Sequence, residues 1–517
     1  MAGLPASWSF APLSGLGSWV GGGTPSKSES AYWTCRADGG VPWVSPKDMK
    51  SFGIYGAADH ITEAAVAASA TTKVAPGSVF VVTRSGILRH TLPVAVSHVW
   101  VAINQDLKAL TPHHGFCARY LAYALKANEQ PILHDCVKDG TTVQSINFDA
   151  LKRLSIPLAP ANEQQRIADT LDELFSDLDA AVAALERVRA KLKLYRASVL
   201  KAAVEGDLTK DWRTQHADAE LAEQLLQRIL AERRRRWEED QLAKYKAKGT
   251  APPAGWKAKY QESGVPASKQ RPRLPPTWCS ATVGQLGEVG TGATPNRGMK
   301  ALYYEGGSIP WVTSSCVNAP IVRDPSEFVT AAAMRECNLT LYPAGTLLVA
   351  MYGEGKTRGK CAELAIESAT NQALAAIQRL GALGPYVKLF LHKHYQDLRG
   401  VASGGVQPNL NLERVREIEI PLPPLAEQEA IVEVVEDQLS VIDHLEADLD
   451  AKLRSAQALR QAILRRAFAG KLVPQDPNDE PAAELLKRIA AERAVSARLR
   501  PAVKRRGAKA KAKAKAA

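Results

Sequence analysis

Two textures of hydrophobic patterning alternate along this chain, and each occurs twice. Over residues 1–160 and again over 274–424, short apolar runs such as Gly77–Val82 and Gly345–Met351 are separated by glycine, proline and threonine. Apolar runs of this length, bounded by turn residues, predict strands. Phe116–Leu125 and Tyr386–Tyr395 predict short helices among them. Just past Ile156-Pro157-Leu158 and Ile420-Pro421-Leu422 the period changes, because proline stops the strand and suits a helix start. Leu171, Leu178, Leu185, Leu192 and Val199 stand seven apart, with Leu174, Ala181, Val188, Tyr195 and Ala202 as a companion row. The second copy has Val435, Ile442, Leu449, Ala456 and Ile463, with Gln438, Leu445, Lys452 and Leu459 beside them. Spacings of three and four sustained over several heptads predict coiled-coil helices at 163–204 and 427–468. Such a helix is ~60 Å long at 1.5 Å per residue and needs a partner to bury its stripe.

The two copies align residue by residue. Leu4, Pro5, Trp8, Ala11 and Gly17 answer Leu274, Pro275, Trp278, Ala281 and Gly287, and Thr24-Pro25 answers Thr294-Pro295, all at one offset. Val41–Val44 pairs with Ile309–Val312, Glu163-Gln164 with Glu427-Gln428, and Ala219–Arg233 with Ala483–Arg493. Ordered matches with a slowly drifting offset mark an internal repeat. Charge then orients the helices. Each is acidic in its first half and basic in its second, as in Asp169–Asp179 against Arg187–Arg196. Antiparallel pairing sets acid against base, whereas parallel pairing sets acid against acid. The expectation is an α+β chain with two mixed α/β domains and a pseudo-twofold repeat, its two long helices forming an antiparallel intramolecular coiled coil. Its segments are a domain at 1–160, a helical region at 161–248 with a second helix at 217–247, and a proline-rich linker at 249–273. A second domain at 274–424, a helical region at 425–495 with a short final helix, and a basic tail at 496–517 complete it.

Composition narrows the class. No apolar run approaches a membrane span and no signal peptide is evident at the start. The seven cysteines form no CxxC pair, which argues against zinc or a disulfide framework and for a reduced cytoplasm. The net charge of +12 suggests nucleic acid, but seven of those charges sit in the final Lys/Ala tail, leaving +5 for the other 500 residues. Organisation is the stronger signal.

Ile156–Ile167 and Ile420–Ile431, the LPxxW…LG openings, the paired Pro-Trp-Val segments and Gly345–Lys360 together resemble the specificity subunit of type I restriction–modification enzymes, the HsdS family. The resemblance covers nearly the whole chain except the tail. It implies two target recognition domains on double-stranded DNA, each reading half of a bipartite, asymmetric sequence, with the coiled coil as ruler. It further implies docking of two methyltransferase subunits and of restriction/translocase subunits. No cofactor is expected in this chain; S-adenosylmethionine, ATP and magnesium would belong to the partners.

The residues themselves offer few catalytic alternatives. Ala350–Thr357 (AMYGEGKT) fits a permissive P-loop spacing, but an apolar strand follows where a phosphate-binding helix must start. Six of the ten histidines lie in the first domain, His113-His114 among them, without metal-ligand spacing. No nucleophile elbow is present. Nor is there an Asn/Asp-Pro-Pro-aromatic motif. Candidate DNA contacts are therefore long or polar side chains on loops. They are Thr24, Lys27, Arg84, Ser85 and Arg89 in the first domain. In the second they are Thr294, Arg297, Tyr352, Lys356, Arg358 and Lys360. Arg233–Arg236 reads as a solvated helix face paired with Glu238, Glu239 and Asp240.

Overall fold

The computed structural model describes residues 3–34, 39–138, 143–266, 274–352, 359–401 and 410–499. The chain divides into two units, residues 1–186 with 450–517 and residues 187–449. Both boundaries fall inside long helices, Ala161–Glu205 and Leu425–Phe468. Each unit thus holds one sheet domain and part of each helix.

In the first unit a five-stranded sheet runs in the order Gly17–Gly21, Leu107–Pro112, Val79–Val82, Val94–Ser97, Gly53–Ile54. Neighbours are antiparallel except the last pair. In the second unit Glu288–Thr291, Leu374–Gln378, Leu347–Ala350, Cys361–Leu364 and Ile321–Val322 repeat that order, again with only the last pair parallel. All four residues of Val79–Val82 and of Leu347–Ala350 are buried, which is why these central strands read as unbroken apolar runs. Helix Ala118–Ala127 covers one sheet and helix Gly384–Val401 the other. A second sheet in each unit contains the Pro-Trp-Val strand, Val41–Val44 or Ile309–Val312, paired in parallel with Val101–Ile103 or Ala369–Thr370. The first unit adds edge strands Trp33–Thr34 and Thr72–Val74 and a small sheet built on Arg84–Ser85.

The motifs shared by the copies form one physical joint. Strand Ser9–Pro12 pairs with Ser155–Leu158, and Cys279–Thr282 with Glu419–Leu422. Tyr120 and Tyr386 donate their hydroxyl protons to the carbonyls of Pro157 and Pro421 at 2.9 and 2.7 Å. Trp8 Nε1 donates to Glu163 Oε2, and Trp278 Nε1 to Glu427 Oε2, both at 2.9 Å. Gln164 and Gln428 return an amide proton to the carbonyls of Ala159 and Pro423 at 2.8 and 2.9 Å. The LPxxW opening, the IPL strand and the Glu-Gln pair are thereby explained together: they lock a domain onto the first turn of its helix.

Within each unit the helix segments run antiparallel. In the first, Leu171 and Phe175 are buried with Leu464, Ala467 and Phe468, and Arg460 pairs with Asp179 while lying 4.5 Å from the Phe175 ring. In the second, Leu200, Ala203 and Val204 pack with Ile431 and Val435, and Arg196 pairs with Asp443 and with Glu446 at 3.2 Å. The acid-to-base matching expected from the charge pattern is made by these pairs. The first row (Leu171, Leu178, Leu185, Leu192, Val199, Val435, Ile442, Leu449, Ile463) is buried or half-buried throughout. The companion rows are displaced by one residue. Leu174, Val188, Tyr195, Leu445 and Leu459 are exposed, and Phe175, Ala203 and Leu439 take inward places instead. One residue along a helix rotates the side chain by ~100°, so a stripe stepping four then three, rather than three then four, exchanges one row for its neighbour.

The helical regions differ from expectation in two further ways. A short helix, Lys210–Gln215, precedes the long Ala222–Ala247. The described part of the proline-rich segment is docked. Trp256 stacks on Trp237 with ring centres 5.8 Å apart, Tyr260 meets Trp237 edge-on, and Lys257 pairs with Glu238 at 2.7 Å. Arg233 turns inward to donate to the carbonyls of Gly284 and Gln285, whereas Arg234 and Arg235 make the expected pairs with Glu238 and Glu239. Residues 267–273 and 500–517, the latter holding the charges of the basic tail, lie outside the described residues.

Candidate nucleic-acid interface

One end of each five-stranded sheet collects the polar loop residues, and the strand directions dictate this. In the first unit Val79–Val82 rises into Arg84, Leu107–Pro112 begins just after Gln105, and Gly17–Gly21 leads to Thr24. Antiparallel neighbours place those ends together. Arg89 enters from the same end, because Val94 pairs with Val81. In the second unit Leu347–Ala350 rises into Tyr352, Leu374–Gln378 begins after Gln372, and Glu288–Thr291 leads to Thr294. Lys360 precedes Cys361, the partner of Val349, and joins that set. Thr24, Lys27, Arg84, Arg89, Thr294 and Tyr352 are exposed, and Ser85 is half-buried with its hydroxyl capping Ile87 N. Lys356 and Arg358 lie outside the described residues.

Two of the cationic candidates are engaged within the protein. Arg297 makes a two-armed pair with Glu327 at 2.6 and 2.8 Å and lies over the rings of Tyr304 and Trp311. That carboxylate raises the guanidinium pKa further and holds the Glu327 carboxyl below its usual range. Lys360 donates to Asn318 Oδ1 at 2.8 Å. Among the described candidates, the long cations left free at this sheet end are therefore those of the first unit. In the second unit an open cavity of about 840 Å³ borders the sheet end, lined in part by Thr291, Tyr352, Gln372, Asn411 and Arg416.

Chemistry of other kinds finds little support. Strands Leu347–Ala350 and Cys361–Leu364 are antiparallel neighbours, so the next described element after the Gly-Lys-Thr residues, which themselves lie outside the described residues, is a strand and not a phosphate-binding helix. Among the described residues no group of three His, Cys, Asp or Glu side chains could hold a metal ion. No helix among them is long and apolar enough to cross a membrane.

Sequence reasoning passed over one repeated feature at this end. Asn104-Gln105 answers Asn371-Gln372, and the Thr-Pro loop is bonded to it in both copies. Thr24 Oγ1 donates to Gln105 Oε1, and Thr294 Oγ1 to Gln372 Oε1, each at 2.5 Å. The asparagines shape the turn: Asn104 Oδ1 accepts from Asp106 N at 3.0 Å and Asn371 Oδ1 from Ala373 N at 3.2 Å. Asn-Gln is short and commonplace, so only alignment of the two copies could have singled it out.

A family model described as "Type I restriction modification DNA specificity domain" matches residues 5–187 and again 275–454. The chain belongs to the type I restriction–modification DNA specificity family. Both matches open on the proline of the LPxxW motif and run into a long helix, so the family unit is the joint described above together with its domain. The specificity subunit of type I restriction enzyme EcoKI from Escherichia coli K12 is 23% identical over 515 residues, covering 95% of this chain and 97% of that protein. The EcoR124I/EcoR124II specificity subunit from Escherichia coli is 39% identical over 161 residues, covering 31% of this chain and 39% of that protein. The fold is shared with a chain from a study of complex assembly and conformational transition of the type I R-M system. The two superpose with a TM-score of 0.58 at 17% identity over 91% of this chain and all of the other.

Proposed function

We infer that this chain is the DNA sequence-specificity subunit of a type I restriction–modification system. The observation that carries the reading is the family match to both halves, each half a sheet domain locked to a long helix by the same buried joint. Two domains alike in frame and different in their exposed loops suit a bipartite, asymmetric DNA sequence, one half per domain. Arg84 and Arg89 in the first domain and Tyr352 in the second are the side chains best placed to reach phosphates or base edges. The chain itself performs no catalytic step in this reading. Two methyltransferase subunits would supply adenine methylation with S-adenosylmethionine, and restriction/translocase subunits would supply ATP- and magnesium-dependent cleavage. The exposed apolar residues of the helix segments, Leu194, Tyr195, Val441 and Leu445 in one unit and Leu174 and Leu459 in the other, are the surface that partner subunits would cover.

The test is capture of genomic fragments by the reconstituted modification complex, followed by sequencing. One motif of two short conserved blocks separated by a fixed spacer is expected. A single contiguous motif, or none, would contradict the two-reader assignment. Binding that does not weaken as salt rises would indicate that phosphates are not contacted at all.

A further inference from the structure

The sheet end of each domain carries the same exposed Thr–Gln pair although its other loop residues differ. Where the first unit presents Arg84, the second presents Tyr352; Lys27 faces solvent, whereas its counterpart Arg297 is tied to Glu327. Thr24, Gln105, Thr294 and Gln372 are all exposed. Hydrogen bonds between exposed neutral groups contribute little to stability, because water competes for both partners. Stability therefore does not explain the repetition.

The loops supporting the pair are built with care. A Cβ on Gly22 would stand 1.9 Å from the carbonyl oxygen of Ile103, and one on Gly292 1.6 Å from that of Thr370, so only glycine lets the Thr-Pro loop cross these strands. Trp43 Nε1 donates to the carbonyl of Gly23 at 3.1 Å, and Trp311 Nε1 to that of Ala293 at 3.2 Å, just before each threonine. Each glutamine is fixed in turn. The threonine hydroxyl can donate only to the amide oxygen, so the amide NH2 is left facing outward, and no described residue accepts from it. A fixed, neutral pair of N–H donors suits a phosphate oxygen. It suits base reading poorly, since a glutamine recognising adenine needs its oxygen free as well as its nitrogen.

We propose that Thr24–Gln105 and Thr294–Gln372 are DNA-backbone contacts, one per domain, that seat each domain on the duplex without reading its sequence. This rests on the specificity-subunit reading. The common pair sets the approach of the domain, and the divergent loops beside it choose the bases. Threonine acts here as a positioning residue for the glutamine amide.

The experiment uses the complete modification complex with Gln105→Ala, Gln372→Ala, the double variant, and Gln105→Glu. Affinity is measured at two salt concentrations for a duplex carrying the recognised motif and for a scrambled duplex. Each alanine change is expected to weaken binding to both duplexes roughly 5-fold, the usual scale of one lost hydrogen bond. The double variant should weaken it by about the product. The ratio between duplexes, the salt slope and the methylated motif should stay as in the wild type, because a neutral amide releases no counterion. Gln105→Glu should bind more weakly than Gln105→Ala on either duplex, since it sets a carboxylate against a phosphate. Wild-type affinity in the alanine variants, or a change in one block of the motif, overturns the proposal. Thr24→Val and Thr294→Val supply an independent arm, expected to weaken binding less than the glutamine changes while leaving the unfolding midpoint unaltered. If the wild-type complex itself prefers no sequence, the specificity-subunit reading has failed; if it selects its motif and the glutamine variants match it, only this proposal has.

Discussion

Glu163 and Glu427 hold the same place in the repeat, each buried and each accepting from a tryptophan indole, yet their remaining partners differ. Glu427 pairs with Arg213, itself largely buried, and accepts from Thr209 at 2.7 Å. Glu163 has Gln475 Nε2 at 2.5 Å, and burial pushes its carboxyl above the usual range. Replacing one member of a buried ion pair strands the other charge, whereas a carboxylate held by neutral donors can be exchanged for an amide at the cost of one good bond. Glu427→Gln should thus destabilise the chain by about 3 kcal/mol and Glu163→Gln by about 1 kcal/mol, read from denaturant unfolding of the two variants side by side. Equal losses would show that Arg213 is not the decisive neighbour. His392 provides a pH handle. Burial lowers its pKa, outweighing its hydrogen bond with the Cys361 carbonyl at 3.0 Å. The folded state then binds fewer protons than the unfolded state. The stability this histidine allows is present above the ordinary imidazole range and is lost as pH falls through that range towards the lowered value. Between about pH 8 and about pH 5.5, spanning the imidazole titration, the unfolding midpoint of His392→Gln should fall less than that of the wild type. The loss avoided can be at most about 1.4 kcal/mol per pH unit.

At the scale of elements the heptads were legible and their phase only partly so. Every residue of the first row faces inward to some degree, because a seven-residue repeat of leucine, isoleucine and valine has no other use on a polar helix. The second row was ambiguous: Leu174 and Phe175 are adjacent and both apolar, and packing chose Phe175. The displaced row became exposed surface, which separates two kinds of substitution. Ile442→Ala, at a site 1% exposed, should cost about 2–4 kcal/mol. Leu445→Ala, at a site 43% exposed, should change stability by less than about 0.5 kcal/mol while weakening retention of the methyltransferase partner in a pull-down. A large stability loss for Leu445→Ala would mean that its exposure is not real in solution. The linker shows another limit of pattern reading. Proline and glycine between residues 249 and 266 correctly signalled a break in secondary structure. They gave no hint that Trp256 and Tyr260 would clasp Trp237, a contact between side chains about 20 residues apart with no period to betray it.

At the scale of the whole molecule, the boundaries between units fall at Glu186/Arg187 and Leu449/Asp450, within the two long helices. Helix length is therefore the covalent variable joining two domains that otherwise have separate cores. Removing seven residues from both helices keeps every heptad in phase and shortens each by about 10 Å, roughly three base pairs of duplex. In the specificity-subunit reading the spacer of the methylated motif should change while both conserved blocks persist, as read by methylome sequencing of cells carrying the variant. Altered blocks with an unchanged spacer would separate helix length from site spacing. The repeat, the strand and helix classes, the inward heptad row and the family were all within reach of the sequence alone, because they are written in spacing and recurrence. The phase of the second row, the docking of the proline-rich segment, the capture of Arg297 by Glu327 and the Thr–Gln pairs were settled only by the tertiary structure. Each depends on which residues distant along the chain come within bonding distance, and local pattern carries no record of that.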